Sequence, residues 1–207
     1  MKNSKIEVKV LFLGSEASPV FSFLRQGYHA FAVQEPLDNW ADLIQSCEVA
    51  ICFGYRHVLK PEILQKFKRP VINLHISFLP YNRGADPNLW SFLEKTPSGV
   101  TIHEMDKGID TGPILIQKKI HQDLQKETLK SSYEKLCYEI CRLFVLEFSA
   151  ILAGKRKAVG QLGTGSFHAL RDKEKYLHLL HSGWDTQVKD IWGAACKDPK
   201  KISKINE

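Results

Sequence analysis

Short apolar runs rich in β-branched residues alternate along this chain with segments of helical character. Residues 6–13, 49–53 and 71–74 are three such runs, and each ends at a glycine or a polar residue, as buried strands do. Two of the intervening helices are predicted to begin with proline, Pro61 and Pro87, at the first helical position, where the missing N–H costs little. Strands that alternate with helices predict an α/β domain with a mainly parallel, Rossmann-like sheet flanked by helices.

The predicted elements account for most of the first 153 residues. The strands cover residues 6–13, 28–33, 49–53, 71–74, 100–104 and 114–120, and the helices cover residues 19–26, 40–45, 61–67, 87–94 and 128–152. The longest helix places six apolar residues near one face: Leu129, Tyr133, Leu136, Ile140, Phe144 and Ile151. Gly154 follows where a glycine commonly ends a helix.

The chain after residue 153 is less regular. Gly160, Gly163 and Gly165 indicate a loop, and residues 173–180 indicate a short helix. We therefore expect one main domain over residues 1–153 and a C-terminal extension over residues 154–207. The extension could complete the domain, form an interface in a homodimer or cover a substrate, and the sequence does not choose among these roles.

Composition argues against several classes of protein. The 207 residues are 43% hydrophobic, which suits one globular domain with a small appendage. Five cysteines without a CxxC pair argue against a disulfide scaffold and a structural zinc site. No apolar stretch reaches transmembrane length, so a cytoplasmic protein is expected. The net charge of +6 is scattered, and its densest cluster is expected to be a solvated tail rather than a nucleic-acid site: Lys197, Lys200, Lys201 and Lys204.

Polar residues suited to catalysis stand at the end of the fourth predicted strand. Asn73 and His75 alternate there, and Asp110 follows in a glycine-rich loop between the last two predicted strands. Ligands of parallel sheets bind beyond the carboxyl ends of the strands, so these side chains could meet at one edge. An amide donor for an oxyanion, an imidazole base and a carboxylate that orients the imidazole suit acyl transfer to an amine.

A purely structural role is the alternative for each of these residues alone. Asn and Asp are common in turns, and Asn73 and His75 could simply cap the end of a strand. The three residues together, with the sequence around them, favour the chemical interpretation.

Two motifs carry a resemblance to a known family. Residues 73–80 read Asn-Leu-His-Ile-Ser-Phe-Leu-Pro, and residues 106–112 read Asp-Lys-Gly-Ile-Asp-Thr-Gly. In this order and spacing they resemble the motifs of the folate-dependent formyltransferases. The resemblance implies the formyltransferase fold and identifies Asn73, His75 and Asp110 as the catalytic residues.

The same resemblance implies N10-formyltetrahydrofolate as the formyl donor and no metal ion. One wall of the folate pocket would be the loop formed by Tyr55, Arg56, His57, Val58 and Leu59. Asp106, in the loop that carries Asp110, would close the other side. Backbone groups suit a pterin ring, whose edge offers paired donors and acceptors.

The acceptor is suggested by residues 80–90, which resemble the nucleotide-sugar N-formyltransferases. The expected acceptor is a nucleotide-linked amino deoxysugar, a dTDP-4-amino-4,6-dideoxyhexose used in surface polysaccharide (O-antigen) synthesis. Arg83 is the candidate ligand of the acceptor's diphosphate, because a guanidinium binds phosphate oxygens in a bidentate manner. Trp90 either stacks on the acceptor or packs in the core. Gly14 and Ser15, in the loop after the first strand, complete the expected acceptor site.

The sequence leaves different acceptors and functions open. A glycinamide ribonucleotide formyltransferase of purine synthesis would suit the chain length, although residues 83–90 do not favour it. Methionyl-tRNA formyltransferases share an Arg-Gly-Ala-x-Pro run, but the 57 residues after Ala150 are expected to be too few for their further β-barrel domain (207 minus 150). A non-catalytic folate- or nucleotide-binding module is the third alternative.

Overall fold

The computed structural model describes residues 6–197. Lys200, Lys201 and Lys204 of the basic cluster, and so most of the expected solvated tail, lie outside the described residues. The strands are Ile6–Leu13 (β1), Tyr28–Val33 (β2), Val49–Cys52 (β3), Ile72–His75 (β4), Arg83–Gly84 (β5), Gly99–Glu104 (β6), Ile114–Lys119 (β7) and Phe167–His168 (β8). The α-helices are Pro19–Gly27 (α1), Ala41–Ser46 (α2), Pro61–Leu64 (α3), Pro87–Leu93 (α4), Leu129–Leu152 (α5) and Val188–Ile191 (α6).

A six-stranded sheet forms the main layer, in the order β2-β1-β3-β4-β6-β7. Strand β1 pairs in parallel with both β2 and β3, and β3 pairs in parallel with β4. All four residues of β3 are buried, as expected for an interior strand between helical layers. The predicted α/β class with a mainly parallel sheet is confirmed.

Two compact units can be distinguished within the described chain. The first comprises residues 6–75, 102–116 and 140–161, and the second comprises residues 76–101, 117–139 and 162–197. Each unit therefore contains segments from both sides of residue 153, and the domain boundary expected there stays a prediction.

The second unit contains a small sheet in which β5 pairs in parallel with β8. Gly84 has a φ of +88°, and a side chain there would collide with the carbonyl oxygen of His168. The pairing therefore depends on glycine at this position. Neither strand was predicted from the sequence, because a strand of two residues has no periodicity to detect.

Helix α5 is amphipathic, but its apolar face differs from the prediction at one position. Leu129, Leu136, Ile140, Phe144 and Ile151 are buried as predicted, whereas Tyr133 is 49% exposed, so its assignment to the buried face was wrong.

Phe148 takes a place on that face that the prediction missed. Its ring is fully buried, lies 4.8 Å from that of Phe144 and meets that of Phe23 edge to face. Gly154 follows the helix with a φ of +66° and donates its N–H to Ile151, which confirms the predicted end.

Several boundaries differ from the prediction by a few residues. Helix α3 ends at Leu64 rather than at residue 67, and β4 extends to His75. The predicted short helix over residues 173–180 is a 3-10 helix, Leu170–Leu179. Within residues 6–197, every helix is too short or too polar to cross a lipid bilayer.

Phe148→Ala should lower the free energy of unfolding by about 3–5 kcal/mol, because it removes a fully buried aromatic ring and leaves a cavity. Leu146→Ala is the matched control in the same helix, since Leu146 is 67% exposed and its loss should cost less than about 0.5 kcal/mol. Urea denaturation of the two variants measures both values. Equal destabilisation by the two substitutions would contradict the described packing of α5.

Candidate functional site

The three predicted catalytic residues lie close together in the first unit. Asn73 and His75 are alternate residues of β4 and so project to the same side of the sheet. The amide nitrogen Nδ2 of Asn73 donates to Oδ1 of Asp110 at 3.0 Å. Nδ1 of His75 lies 3.7 Å from Oδ2 of Asp110, a distance typical of an ion pair. One carboxylate thus contacts both the amide and the imidazole.

His103 on β6 is a fourth member of the cluster that was not predicted from the sequence. Its Nδ1 lies 2.8 Å from the carbonyl oxygen of Glu104, which can only accept, so Nδ1 carries a hydrogen. The other nitrogen, Nε2, lies 3.2 Å from Nδ2 of Asn73 and 3.5 Å from Oδ1 of Asp110. In the neutral ring Nε2 accepts the second amide hydrogen of Asn73, so His103 helps to fix the orientation of that amide.

A signal for His103 was present in the sequence. It is the next-to-last residue of a predicted strand, and polar residues at the ends of neighbouring strands gather at one edge of a sheet. Inside an otherwise apolar run, it is more simply interpreted as a buried structural histidine. Its side chain is 99% buried, so burial alone does not distinguish the two roles.

The loop that carries Asp110 is tightly constrained. Asp110 itself has a φ of +54°, in the left-handed region, and a side chain at Gly112 would collide with the carbonyl oxygen of Glu104. The side-chain amide of Gln161 donates to the carbonyl oxygens of Asp110 and Gly112, at 2.8 and 2.9 Å. Gln161 therefore holds the backbone on both sides of Thr111. This residue was not predicted from the sequence, because it lies 51 residues from Asp110 in an irregular segment.

Two further ionisable groups near the site stay neutral at physiological pH. Burial raises the pKa of the Cys52 thiol to about 12, and the negative charge of Asp110 adds to the effect. Burial likewise raises the pKa of the Tyr55 phenol to about 12. Neither group is therefore suited to act as an anionic nucleophile, which leaves His75 as the group positioned for proton transfer.

The loop after β3 has the properties expected of a wall that binds through its backbone. Tyr55 and Leu59 hold its two ends: the Tyr55 hydroxyl donates to the carbonyl oxygen of Glu35 at 2.7 Å, and Leu59 is buried in the core. Between them Arg56, His57 and Val58 are exposed. In the described chain, the backbone of residues 56–58 makes no hydrogen bond. These groups fit the edge of a planar heterocycle such as a pterin.

Asp106 has a structural part in the neighbouring loop. Its Oδ1 accepts from the backbone N–H of Gly108 at 3.0 Å and from the hydroxyl of Thr111 at 2.5 Å. The carboxylate thus shapes the turn that leads to Asp110. Its predicted contact with a folate stays a prediction.

Gly14 and Ser15 follow β1 in the same unit as the catalytic cluster. Gly14 is buried, donates its N–H to Val33 at 3.0 Å and leaves no room for a side chain beside the carbonyl oxygen of Phe53. Ser15 is exposed, and its hydroxyl accepts from the N–H of Ala17 at 3.2 Å. These contacts account for the shape of the loop, and its predicted acceptor-binding role stays a prediction.

Arg83 and Trp90 belong to the second unit. The backbone of Arg83 forms β5, and its guanidinium approaches the carbonyl oxygen of Thr164 at 3.5 Å. Trp90 is only 2% exposed, and one face of its indole is covered by His168 with 3.7 Å between ring centroids. Of the two roles that the sequence suggested for Trp90, packing within the unit describes this geometry.

No group of three or more His, Cys, Asp or Glu side chains in the described part of the chain is arranged to hold a metal ion. The cluster of Asn73, His75, His103 and Asp110 is therefore described by its protein contacts alone. It offers an imidazole next to a carboxylate, which suits proton transfer during acyl transfer.

Gln161→Ala should loosen the loop that carries Asp110 while leaving global stability nearly unchanged. The substitution removes two hydrogen bonds of roughly 1 kcal/mol each, so amide exchange in residues 108–112 should accelerate about tenfold or more. Hydrogen-exchange mass spectrometry measures this change. Gln65→Ala, at an exposed glutamine, is the control, and identical exchange of the loop in the two variants would contradict the clamp.

Comparison with solved structures gives a relative that matches nearly the whole described chain. The formyltransferase PseJ from Anoxybacillus kamchatkensis has a TM-score of 0.86 and 44% sequence identity, over 90% of this chain and 99% of that chain. Its structure was solved in complex with UDP-4,6-dideoxy-4-formamido-L-AltNAc and tetrahydrofolate.

Curated relatives include longer proteins. The methionyl-tRNA formyltransferase of Prochlorococcus marinus (strain MIT 9215) is 36% identical over 196 residues, covering 91% of this chain and 58% of that protein. The bifunctional polymyxin resistance protein ArnA of Wigglesworthia glossinidia brevipalpis is 44% identical over 104 residues, covering 48% of this chain and 16% of that protein. The chain therefore spans less than two thirds of the length of these two relatives.

The formyl transferase family matches residues 13–143, which include all four residues of the cluster and more than half of the chain. The α/β architecture with a mainly parallel sheet agrees with that of PseJ. The chain belongs to the formyl transferase family of enzymes.

Proposed function

We propose that this protein transfers a formyl group from N10-formyltetrahydrofolate to the amine of a nucleotide-linked amino deoxysugar. The observation that carries the proposal is the buried cluster around Asp110, in a chain 44% identical to PseJ over 99% of that protein. The PseJ complex contains a folate and a UDP-linked 4-formamido sugar. The chemistry available at the cluster is that needed to join such an amine to a formyl group.

The folate would lie between the loop of residues 55–59 and the loop that carries Asp106 and Asp110. The unpaired backbone of residues 56–58 supports this assignment, because a pterin edge needs paired donors and acceptors. The folate supplies a formyl carbon already activated by its nitrogen. The protein's part is to hold the acceptor amine, accept and return a proton and stabilise negative charge.

His75 is proposed as the group that moves the proton. Its Nδ1 faces Asp110, so Nε2 is left to accept a proton from the attacking amine. The nearby carboxylate favours the imidazolium that results. The same proton can then pass to the departing nitrogen of the donor, which returns His75 to its neutral form.

Asn73 is proposed to order the cluster and stabilise the developing oxyanion. Its two amide hydrogens point to Asp110 and to His103, so one of these bonds must break before the amide can donate to an oxyanion. Protonated His75 is a second donor for the same charge. Both groups lie in a mostly buried site, where a fixed donor stabilises charge more strongly than water does.

The acceptor's nucleotide separates two forms of the proposal. Sequence resemblance favours a dTDP-4-amino-4,6-dideoxyhexose for surface polysaccharide synthesis, whereas the ligand of PseJ carries UDP. The identity of 44% to PseJ makes a UDP-linked 4-amino-4,6-dideoxy sugar the leading acceptor, with the dTDP-linked sugar as the alternative.

A methionyl-tRNA acceptor is a second candidate, favoured by the 36% identity to the Prochlorococcus enzyme over 91% of this chain. The sequence also raised glycinamide ribonucleotide as an acceptor and a binding role without catalysis. Since these acceptors present amines on very different carriers, a direct comparison separates them.

A panel of amines tests the proposed acceptor class. The protein is incubated with N10-formyltetrahydrofolate and UDP- or dTDP-linked 4-amino sugars, glycinamide ribonucleotide or methionyl-tRNA, and mass spectrometry detects a mass gain of one formyl group. We expect formylation of a nucleotide sugar, and of the UDP-linked one at the higher kcat/KM. Formylation of methionyl-tRNA or glycinamide ribonucleotide alone would sink the nucleotide-sugar assignment.

Asn73→Ala and Asp110→Asn should each lower kcat about a hundred- to ten-thousandfold, because each removes a group that orients the proton carrier or stabilises charge. Folate binding should change little, since the loop of residues 55–59 is intact. Asp42→Asn, at an exposed aspartate of α2, is the matched control. Near-normal kcat in both cluster variants would exclude the cluster as the catalytic centre.

A further inference from the structure

A pocket lies wholly within the second unit, and none of the four residues of the catalytic cluster lines it. It encloses about 720 Å³ and is lined by Trp90 of α4 and by residues from Ser166 to Lys175. This volume lies in the range of small-molecule sites. The C-terminal segment, for which the sequence suggested three different roles, therefore supplies most of a cavity.

The floor of this pocket is aromatic and rigid. The rings of Trp90 and His168 stack with 3.7 Å between centroids and 7° between planes. Burial lowers the pKa of His168 to about 4, so the ring is neutral at physiological pH, and its Nε2 lies 3.3 Å from Oε2 of Glu94. Tyr176 packs edge-on against Trp90, and its buried hydroxyl has no hydrogen-bond partner in the described structure.

Phe167 offers an open aromatic face at the edge of the pocket. Its side chain is 51% exposed, and its ring packs beside Gly84, which fixes its position in β8. The hydroxyl of Ser166, by contrast, is occupied by Asn82, accepting from its N–H at 2.9 Å. Phe167 is thus the pocket residue suited to stack on a planar ring.

The rim carries charges of both signs from the 3-10 helix Leu170–Leu179. Residues three apart share one face of such a helix, so Arg171 and Glu174 lie on the same side. Asp172 is engaged, because its carboxylate accepts from the N–H of Ala169 at 2.7 Å. Arg171 and Glu174 have no hydrogen-bond or ion-pair partner among residues 6–197.

We propose that this pocket binds the nucleoside diphosphate half of the acceptor, with Phe167 against the base, Arg171 on the diphosphate and Glu174 on the ribose hydroxyls. A guanidinium suits phosphate oxygens, and a carboxylate suits the hydroxyls of a ribose. The inference rests on the proposed function, because that function supplies the nucleotide. It assigns the C-terminal segment to acceptor binding, and it favours a ribonucleotide such as UDP over dTDP.

Binding of UDP tests the pocket without any catalytic step. Isothermal titration calorimetry on the full chain should show UDP binding about tenfold or more weaker in Phe167→Ala and in Arg171→Gln. Leu177→Ala and Lys130→Gln are matched controls that alter an exposed apolar and an exposed basic residue outside the pocket. Unchanged UDP affinity in both pocket variants, with melting temperatures equal to that of the wild type, would overturn the proposal.

The ribose contact has its own test. The wild type should bind UDP about tenfold more tightly than 2′-deoxy-UDP, and Glu174→Ala should remove most of that difference. A preference that survives Glu174→Ala would refute the ribose contact.

Kinetics separate this inference from the proposed function. If the wild type formylates a nucleotide sugar and the pocket variants raise only the KM for that sugar, both proposals are supported. If formylation occurs with the sugar KM unchanged, or with the folate KM raised instead, the pocket proposal fails while the function stands. If no nucleotide sugar is formylated but UDP binding depends on Phe167 and Arg171, the function fails and the nucleotide site stands.

Discussion

The carboxylate of Asp110 is the group around which the site is organised. A mostly buried negative charge is costly unless it is hydrogen-bonded or paired, and this one meets Asn73, His75 and His103 within 3.7 Å. The backbone must also adopt a left-handed conformation to bring the carboxylate there. Gln161 holds that conformation through two carbonyl oxygens, so a residue far away in sequence supports the centre of the cluster.

The sheet places the other partners. Asn73 and His75 are alternate residues at the end of β4, and β6, which carries His103, is the next strand in the sheet. Because strand spacing and side-chain alternation are fixed by backbone geometry, a few residues at strand ends can meet without any special loop. The loop is needed only for Asp110, and its glycine at position 112 permits the close approach to Glu104.

The sequence predicted those parts of the fold and site that follow from local pattern. Apolar runs identified every strand of the main sheet, and the motif at residues 73–80 identified Asn73 and His75. Gln161 and the β5–β8 pairing were missed, because they depend on contacts between distant segments that have no periodic signal. Tyr133 was misassigned because periodicity alone does not reveal which part of an apolar stripe finds a partner.

The transfer rate of His75→Gln tests the account most directly. Glutamine keeps a polar side chain of similar size but does not carry a proton between amine and leaving nitrogen. With saturating N10-formyltetrahydrofolate and the acceptor sugar, the single-turnover rate should fall at least about a hundredfold, while affinity for both ligands stays close to that of the wild type. A rate near that of the wild type would contradict the central claim that His75, paired with Asp110, moves the proton.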